Sequence, residues 1–334
     1  MASAPQATTF LTTDAKLNRE ELANVVDMTE RDKTPVYTLI GRGSCSSTSP
    51  QWAVDELEAP GQNIQPEGRE YDYAAIAPAQ RLQNYTQIFE KTGQISGTQI
   101  AVDKAGNHEN VARQKIKKGV EIKRDVEYSI LAANPSLPGA SRQSGSLSTW
   151  AETNVSRGAG GANGGYDQAT GRTVAPTNGT RRDLTRAMVD SVVRQGYESG
   201  ADITNAFMTP GAKEVFATFL KDDDVIQMRS AVNAGRGKVE LLRDVDVYRG
   251  PLGMVNVIPN YVMGLNPTLD RNMFILDTSK IKWVWMKGRG IREVGDLPKT
   301  GDKVPFVIEG EGTLMVGNEK AVGVIADLNS PAAA

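Results

Sequence analysis

Residues 109–133, ENVARQKIKKGVEIKRDVEYSILAA, contain no proline and constrain the chain more than any other stretch. Their pattern predicts one continuous helix. At ~1.5 Å per residue it would be about 37 Å long, as long as a small domain is wide. Charge crowds it: Arg113, Lys115, Lys117, Lys118, Glu121, Lys123, Arg124, Asp125 and Glu127. Opposite charges fall three or four apart at Lys117 and Glu121, Lys123 and Glu127, and Arg124 and Glu127, where helix side chains meet. Ala112, Ile116, Val120, Val126 and Ile130 drift along one side near the 3.6-residue period. One narrow stripe is therefore expected to pack while the other faces stay polar. Asn134-Pro135 ends the helix, because the residue before proline is pushed out of helical geometry. Such a helix is either a solvated surface element or a beam with other elements laid along one side.

Composition removes several kinds of chemistry. The 334 residues include one cysteine, Cys45, and one histidine, His108. These cannot form an internal disulfide framework or a zinc site of the usual ligand set. His108 lies in GNHEN just before the helix and reads as a helix-entry residue. No catalytic residue, metal ligand or cofactor site is expected. The net charge of −2 argues against a dedicated nucleic-acid binder, which is usually basic. No apolar run approaches the ~18 residues of a membrane span, and MASAPQATTF lacks the basic-then-apolar pattern of a signal peptide. The Gly-rich segment 157–171 has no phosphate-loop lysine after it and no strand before it. Its composition predicts a flexible loop. Asp222 to Asp224 read as a solvated acidic turn, without calcium-loop spacing.

The remaining elements follow in order. Asn18 to Glu30 predicts a short helix with Asn18 as cap and Glu21 three residues on. TPVYTLIG then predicts a short strand. Residues 44–107 hold little core material but two strand-like pieces, Gln51 to Leu57 and Gln83 to Val102. Together they predict a long two-stranded excursion. A lone hairpin is marginal in water, and no part of this chain obviously covers it, which points to a partner chain. Thr180 to Gly196 and Pro210 to Leu220 predict helices. Val239 to Val247, Met254 to Val257, Met273 to Leu276, Ile281 to Trp285, Val304 to Ile308, Thr313 to Val316 and Ala321 to Ala326 predict strands. The beam and the C-terminal strands are expected to pack together, since neither has enough apolar surface alone.

Five stretches together resemble the major capsid proteins of tailed bacteriophages, of the HK-ninety-seven-type fold. They are DKTPVYTLIGRG (32–43), QWAVDEL (51–57), NYTQIFEKTGQISGTQIAV (84–102), KIKKGVEIKRDVEYSIL (115–131) and MFILDTSKIKWVWMKG (273–288), in the family's order. Within that fold they are most similar to a group long classified as a domain of unknown function. The resemblance implies an α+β capsid subunit. It divides into an N-terminal arm (1–49), an extended loop (50–107) lying over the neighbouring subunit, a peripheral domain (108–182 and 264–334) with spine helix 109–133, and an axial domain (183–263). It implies hexamers and pentamers of one chain in an icosahedral head around double-stranded DNA, assembled in the host cytoplasm. No enzymatic role, cofactor or membrane partner is implied.

On that reading Trp52, Asp55, Glu56, Tyr85, Gln87 and Phe89 are candidate intersubunit contacts of the extended loop. Arg113, Lys117, Lys118, Glu121, Arg124 and Glu127 are candidate charge contacts of the spine helix. Its basic excess suits non-specific contact with packaged DNA, or intersubunit and solvent-facing charge. Some members of the fold cross-link through a lysine on the extended loop. No lysine lies between Gln51 and Glu90, so no such bond is expected. About 17 loose residues precede the first predicted helix, so scaffolding is expected from a separate protein. Portal and decoration proteins are further expected partners. The competing readings are another virion component, such as a tail-tube or decoration protein, and a carboxylate-based phage hydrolase.

Overall fold

The computed structural model describes residues 33–71, 73, 75–76, 78–102, 111–219, 246–295, 297–298 and 301–329. The predicted helix at 18–30, His108, the acidic turn at 222–224 and most of the strand expected at 239–247 lie outside the described residues.

Pro35–Leu39 forms helix α1 and Gly41–Cys45 strand β1. TPVYTLIG is thus helix before strand, correcting the expectation of a strand alone. Proline at the first turn fits a helix start, where its missing N–H is no loss. Gln51–Val54 (β2) pairs antiparallel with Gln80–Gln83 (β3). Gln87–Ser96 (β4) leads into Gly97–Ala101 (α2), capped by the Ser96 hydroxyl accepting from the Gln99 amide. The long helix is Val111–Leu131 (α3).

Leu147–Trp150 (α4) and Val155–Ser156 (β5) follow, then a small hairpin of Gly165–Asp167 (β6) and Arg172–Val174 (β7). The Gly-rich segment is therefore built around a defined hairpin rather than left loose. The next module is Arg186–Glu198 (α5), Asn205–Met208 (β8), Pro210–Thr218 (α6), Val247–Gly250 (β9), Gly253–Pro259 (β10) and Tyr261–Leu265 (α7). Met273–Leu276 (β11), Ile281–Met286 (β12), Arg292–Glu293 (β13), Lys303–Val316 (β14) and Val322–Ile325 (β15) complete the fold.

Two sheets organise these elements. One runs β1-β12-β14-β13, with β4 also paired to β14 over Ser96–Lys303 to Gln87–Gly312. The other runs β5-β15-β11-β8-β10-β9. The long two-stranded excursion is thus corrected. The first expected strand pairs with Gln80–Gln83, which shares only Gln83 with the second. The longer strand β4 pairs with β14, more than two hundred positions away in the same chain, so local pattern could not reveal the partner.

β14 also replaces two predicted strands by one. Gly310 and Gly312 sit inside it because Trp285 and Trp283 of β12 lie over them. A Cβ on Gly312 would come 2.8 Å from Trp283 Nε1 and 2.9 Å from Trp285 Cε3. The glycines make room for indoles and leave the strand unbroken.

The core has two parts. The first joins Ile122, Val126 and Ile130 of α3 to Phe274, Trp283 and Leu314, so the helix and the C-terminal strands do pack together. The second joins Val189 and Val192 of α5 to Phe216, Val257 and Ile275. Helix α3 buries Ile122, Val126, Glu127, Ser129, Ile130 and Leu131, all in its second half. The expected stripe is corrected accordingly: Ile116 is 70% exposed, and Ile122 packs instead. Among the described residues the helix seats its second half in the core, while its first half is only partly covered.

Candidate assembly interface

The candidate interface has a braced base and an uncovered tip. Asn84, fully buried, anchors the base between β3 and β4. Its Nδ2 donates to the Leu314 carbonyl at 2.7 Å and the Gly145 carbonyl at 3.2 Å. Its Oδ1 accepts from the Gly145 amide at 2.8 Å and the Tyr85 amide at 2.9 Å. A buried primary amide is stable only when satisfied in this way. Two residues on, the Thr86 hydroxyl donates to Glu311 Oε1 at 2.7 Å. Arg142 Nη2 reaches the same oxygen at 2.9 Å, and Arg289 Nε lies 2.9 Å from Oε2. Burial pushes the Glu311 pKa up, but the Thr86 and Arg142 hydrogen bonds and the two guanidinium charges outweigh it, leaving the carboxyl below its ordinary range.

An aromatic stack holds the other side. Trp52 of β2 lies 5.6 Å from Trp150, and Tyr166 stacks on Trp150 at 5.2 Å with planes 5° apart. Gln83 Nε2 donates to the Gly171 carbonyl at 2.9 Å. The Gly-rich hairpin therefore braces the place where the chain leaves the body. Beyond that brace, residues 55–71 are exposed throughout. Leu57 is 100% exposed, Tyr71 87%, Tyr73 89% and Ile76 95%.

The candidate loop contacts divide on these facts. Asp55 and Glu56 lie on the uncovered part, with Glu56 Oε1 2.8 Å from Lys320 Nζ. Trp52 is half-buried in the stack. Tyr85 accepts from Gln83 Nε2 at 3.2 Å, and Gln87 Oε1 accepts from the Ser129 hydroxyl at 3.1 Å. Phe89 is corrected: it is a core residue of its own chain, with its ring 5.9 Å from Trp283. Pairing of β4 with β14 places it in the core of its own chain.

The helix candidates also divide. Lys117 is exposed, Arg113 is half-buried, and Lys118 pairs with Glu121 at 2.8 Å, replacing the expected Lys117–Glu121 pair. Arg124 lies over the Tyr261 ring at 6.0 Å. Glu127 is corrected most sharply, because its side chain is fully buried and not on a charged face. Its Oε1 accepts from the Val36 amide at 3.0 Å and Asn260 Nδ2 at 2.6 Å, and its Oε2 accepts from the Tyr37 amide at 2.7 Å. It caps the first turn of α1 from another helix. Burial pushes its pKa up to about 7, against the opposing pull of these hydrogen bonds.

Sequence reading misses Asn84, Glu311 and the Gly-rich brace. The one visible signal is the polar run Asn84-Tyr85-Thr86-Gln87 interrupting an otherwise strand-like stretch. Among the described residues no cluster of metal-ligating side chains occurs and no helix is long and apolar enough to cross a membrane.

The chain matches the family model described as SU10 major capsid protein over residues 6–329. Over 126 residues it is 29% identical to the major capsid protein of Escherichia phage Phieco32, spanning 37% of this chain and 36% of that protein. Among solved structures it is similar to the capsid of a native GTA particle, with a TM-score of 0.61, 14% identity and coverage of 95% of this chain and 98% of that one. A structure from Mycobacterium phage Adephagia matches with a TM-score of 0.57 and 14% identity, covering 98% and 99%. These likenesses carry the HK-ninety-seven-type capsid fold. With the family model matched almost end to end, the chain belongs to the SU10 major capsid protein family.

Proposed function

We propose that the chain is the structural major capsid protein of a tailed bacteriophage, whose identical copies join into hexameric and pentameric capsomers of an icosahedral head around double-stranded DNA. The observation that carries this is the braced but uncovered excursion at 55–79. Its base is locked by Asn84, Thr86 and the Trp52–Trp150 contact, yet Leu57, Ile64, Tyr71, Tyr73 and Ile76 find no cover among the described residues. Exposed patches of this kind mark interaction surfaces. One surface of a subunit meets a different surface of the next, and such heterologous contacts close into rings when the rotation closes. Many weak contacts then add up over the shell.

The same reading assigns residues 1–49 to the arm, 50–107 to the extended loop, 109–133 to the spine helix, 183–263 to the axial domain, and 108–182 with 264–334 to the peripheral domain. The two-part core supports that division. The second core cluster draws mainly on α5, α6 and β8 to β10, and the first on α3 and the β12–β14 sheet. Separate scaffolding, portal and decoration proteins complete the assembly in the host cytoplasm, and contact with DNA is non-specific. Light scattering on the expressed full chain tests the reading. Particles far heavier than the 36.0 kDa chain support it, and a monomer at every concentration and salt tried refutes it.

A further inference from the structure

Three adjacent strands of the six-stranded sheet bring charge to one of its ends. β15 runs parallel to β5 and antiparallel to β11. Arg157 just beyond β5, Asp327 just beyond β15 and Arg271 just before β11 therefore share a corner. Arg182 joins them through the backbone. Its amide donates to the Asp327 carbonyl at 2.7 Å, and its carbonyl accepts from the Asn329 amide at 2.8 Å. Gly158 lets the loop after β5 close over this corner, since a Cβ there would strike the Thr180 carbonyl. Three guanidiniums thus surround one buried carboxylate. Asp327 Oδ1 accepts from Arg271 Nη2 at 2.8 Å and Oδ2 from the Gly158 amide at 3.1 Å. The nearby acids Asp270 and Asp183 are engaged elsewhere, by Arg181 at 3.2 Å and by the Asn329 side chain at 2.7 Å.

Charge and hydrogen bonding both fall short of an anion here. Arg157, Arg182 and Arg271 face Asp327 alone, so three positive charges against one negative leave two. Arg157 Nη2, Arg182 Nε and Arg271 Nε are buried donors without a partner among the described residues. Folded proteins rarely leave such donors unmet. Burial pulls the Arg157 and Arg182 pKa values down, and Asp327 is the acid that offsets it. We propose that this corner is a binding site for a phosphate dianion, held by Arg157, Arg182 and Arg271. Hydrogen phosphate brings two negative charges and several acceptor oxygens, and guanidinium forks bind phosphate with paired hydrogen bonds. A carboxylate or a nucleic-acid phosphodiester brings one charge and leaves the corner positive. All three arginines are half-buried, not sealed from solvent. The site lies within one chain, so it is independent of how copies assemble. When filled, it ties the Gly-rich loop after β5 to the segment leading into α5 and to the end of β15.

Melting and titration calorimetry of the expressed full chain test this at about pH 8, where phosphate is mostly a dianion. Inorganic phosphate at about 5 mM, too dilute for general salt exclusion, is compared with sodium chloride of the same ionic strength. The wild-type Tm is expected to rise by about 2 °C or more in phosphate and not in chloride. Arg157→Gln is expected to weaken phosphate binding about tenfold. Arg181→Gln, outside the corner, is expected to bind it as the wild type does. Asp327→Asn removes the competing carboxylate. It is expected to melt lower in chloride yet gain more from phosphate than the wild type gains, a reversal that loss of a structural contact alone would not produce. Circular dichroism establishes which variants fold, and if Arg157→Gln does not, the Asp327→Asn comparison decides. The site is wrong if phosphate does no more than chloride for the wild type, if Arg157→Gln binds it equally well, or if Asp327→Asn gains less than the wild type. It is also wrong if a short oligodeoxynucleotide raises the Tm and inorganic phosphate does not, a result that would give these arginines to nucleic acid.

Discussion

The Glu127 carboxylate lies 2.7 Å from the Tyr37 amide nitrogen, joining the buried half of the long helix to the first turn of α1. Val36 and Asn260 complete the site. The residue just after a proline at a helix start needs an acceptor for its amide, and a five-residue helix has few of its own. A charged residue that reads as surface is therefore the lock between the N-terminal segment and the body.

The pH dependence of this lock has a definite sign. The folded-state pKa, about 7, lies above the ordinary 4.5. The native state holds the proton more tightly than the unfolded chain does. Its contribution to stability is fully present below pH ~4.5 and is lost as pH rises through about 7. Urea unfolding of the dissociated subunit between pH 4.5 and 8 is expected to show this slope. Glu127→Gln is expected to flatten it. It should also cost about 1–3 kcal/mol at the low-pH end, because an amide NH₂ turned toward a backbone donor leaves that donor unsatisfied. Equal slopes in both proteins would refute the assignment.

Asp327 makes a second, independent lock. It is fully buried at φ 61°. Its Oδ1 accepts from Arg271 Nη2 at 2.8 Å and its Oδ2 from the Gly158 amide at 3.1 Å. It also offsets the burial that pulls the Arg157 and Arg182 pKa values down. Asp327→Asn keeps a residue type tolerant of positive φ while removing the charge. It is expected to cost roughly 3 kcal/mol, read as a lowered melting temperature of the subunit. An unchanged melting temperature would show that the arginines need no counter-charge.

Gly312→Ala places a methyl group against two indoles that the sheet holds rigidly. The expected destabilisation is about 1–3 kcal/mol. Gly290→Ala, with nothing within 4 Å of the added carbon, is the control and is expected to stay near neutral. Similar losses in both would show that backbone freedom, not indole packing, explains the glycine.

Mature particles dissolved in hot detergent are expected to run as single chains, because no lysine lies between Gln51 and Glu90 to form a loop cross-link. A ladder of covalent oligomers on a denaturing gel would contradict this.

What can be read from residues, and what cannot, follows the range of the interactions. The long helix is legible because its cause is local: an unbroken period without proline. Which half of it packs is not. Ile116 and Val120 fit the apolar period as well as Ile122 does, and only the placement of β12 and β14 decides between them. Glu127 reads as a surface charge because its partners are backbone amides about ninety positions earlier. Phe89 reads as a loop contact because β4 finds its partner in β14, which no local pattern announces. The uncovered excursion is legible from its glycine, proline and acid content. Its brace is not, since Trp150, Tyr166 and Gly171 meet it only in three dimensions.

The central claim, that copies of this one chain build a closed shell through the excursion at 55–79, is tested most directly by cryo-electron microscopy of particles formed by the expressed full chain. The account predicts closed shells with fivefold and sixfold capsomers, in which density for residues 55–79 lies on the neighbouring subunit. Tubes, dispersed monomers, or shells in which the excursion folds back on its own subunit would contradict it.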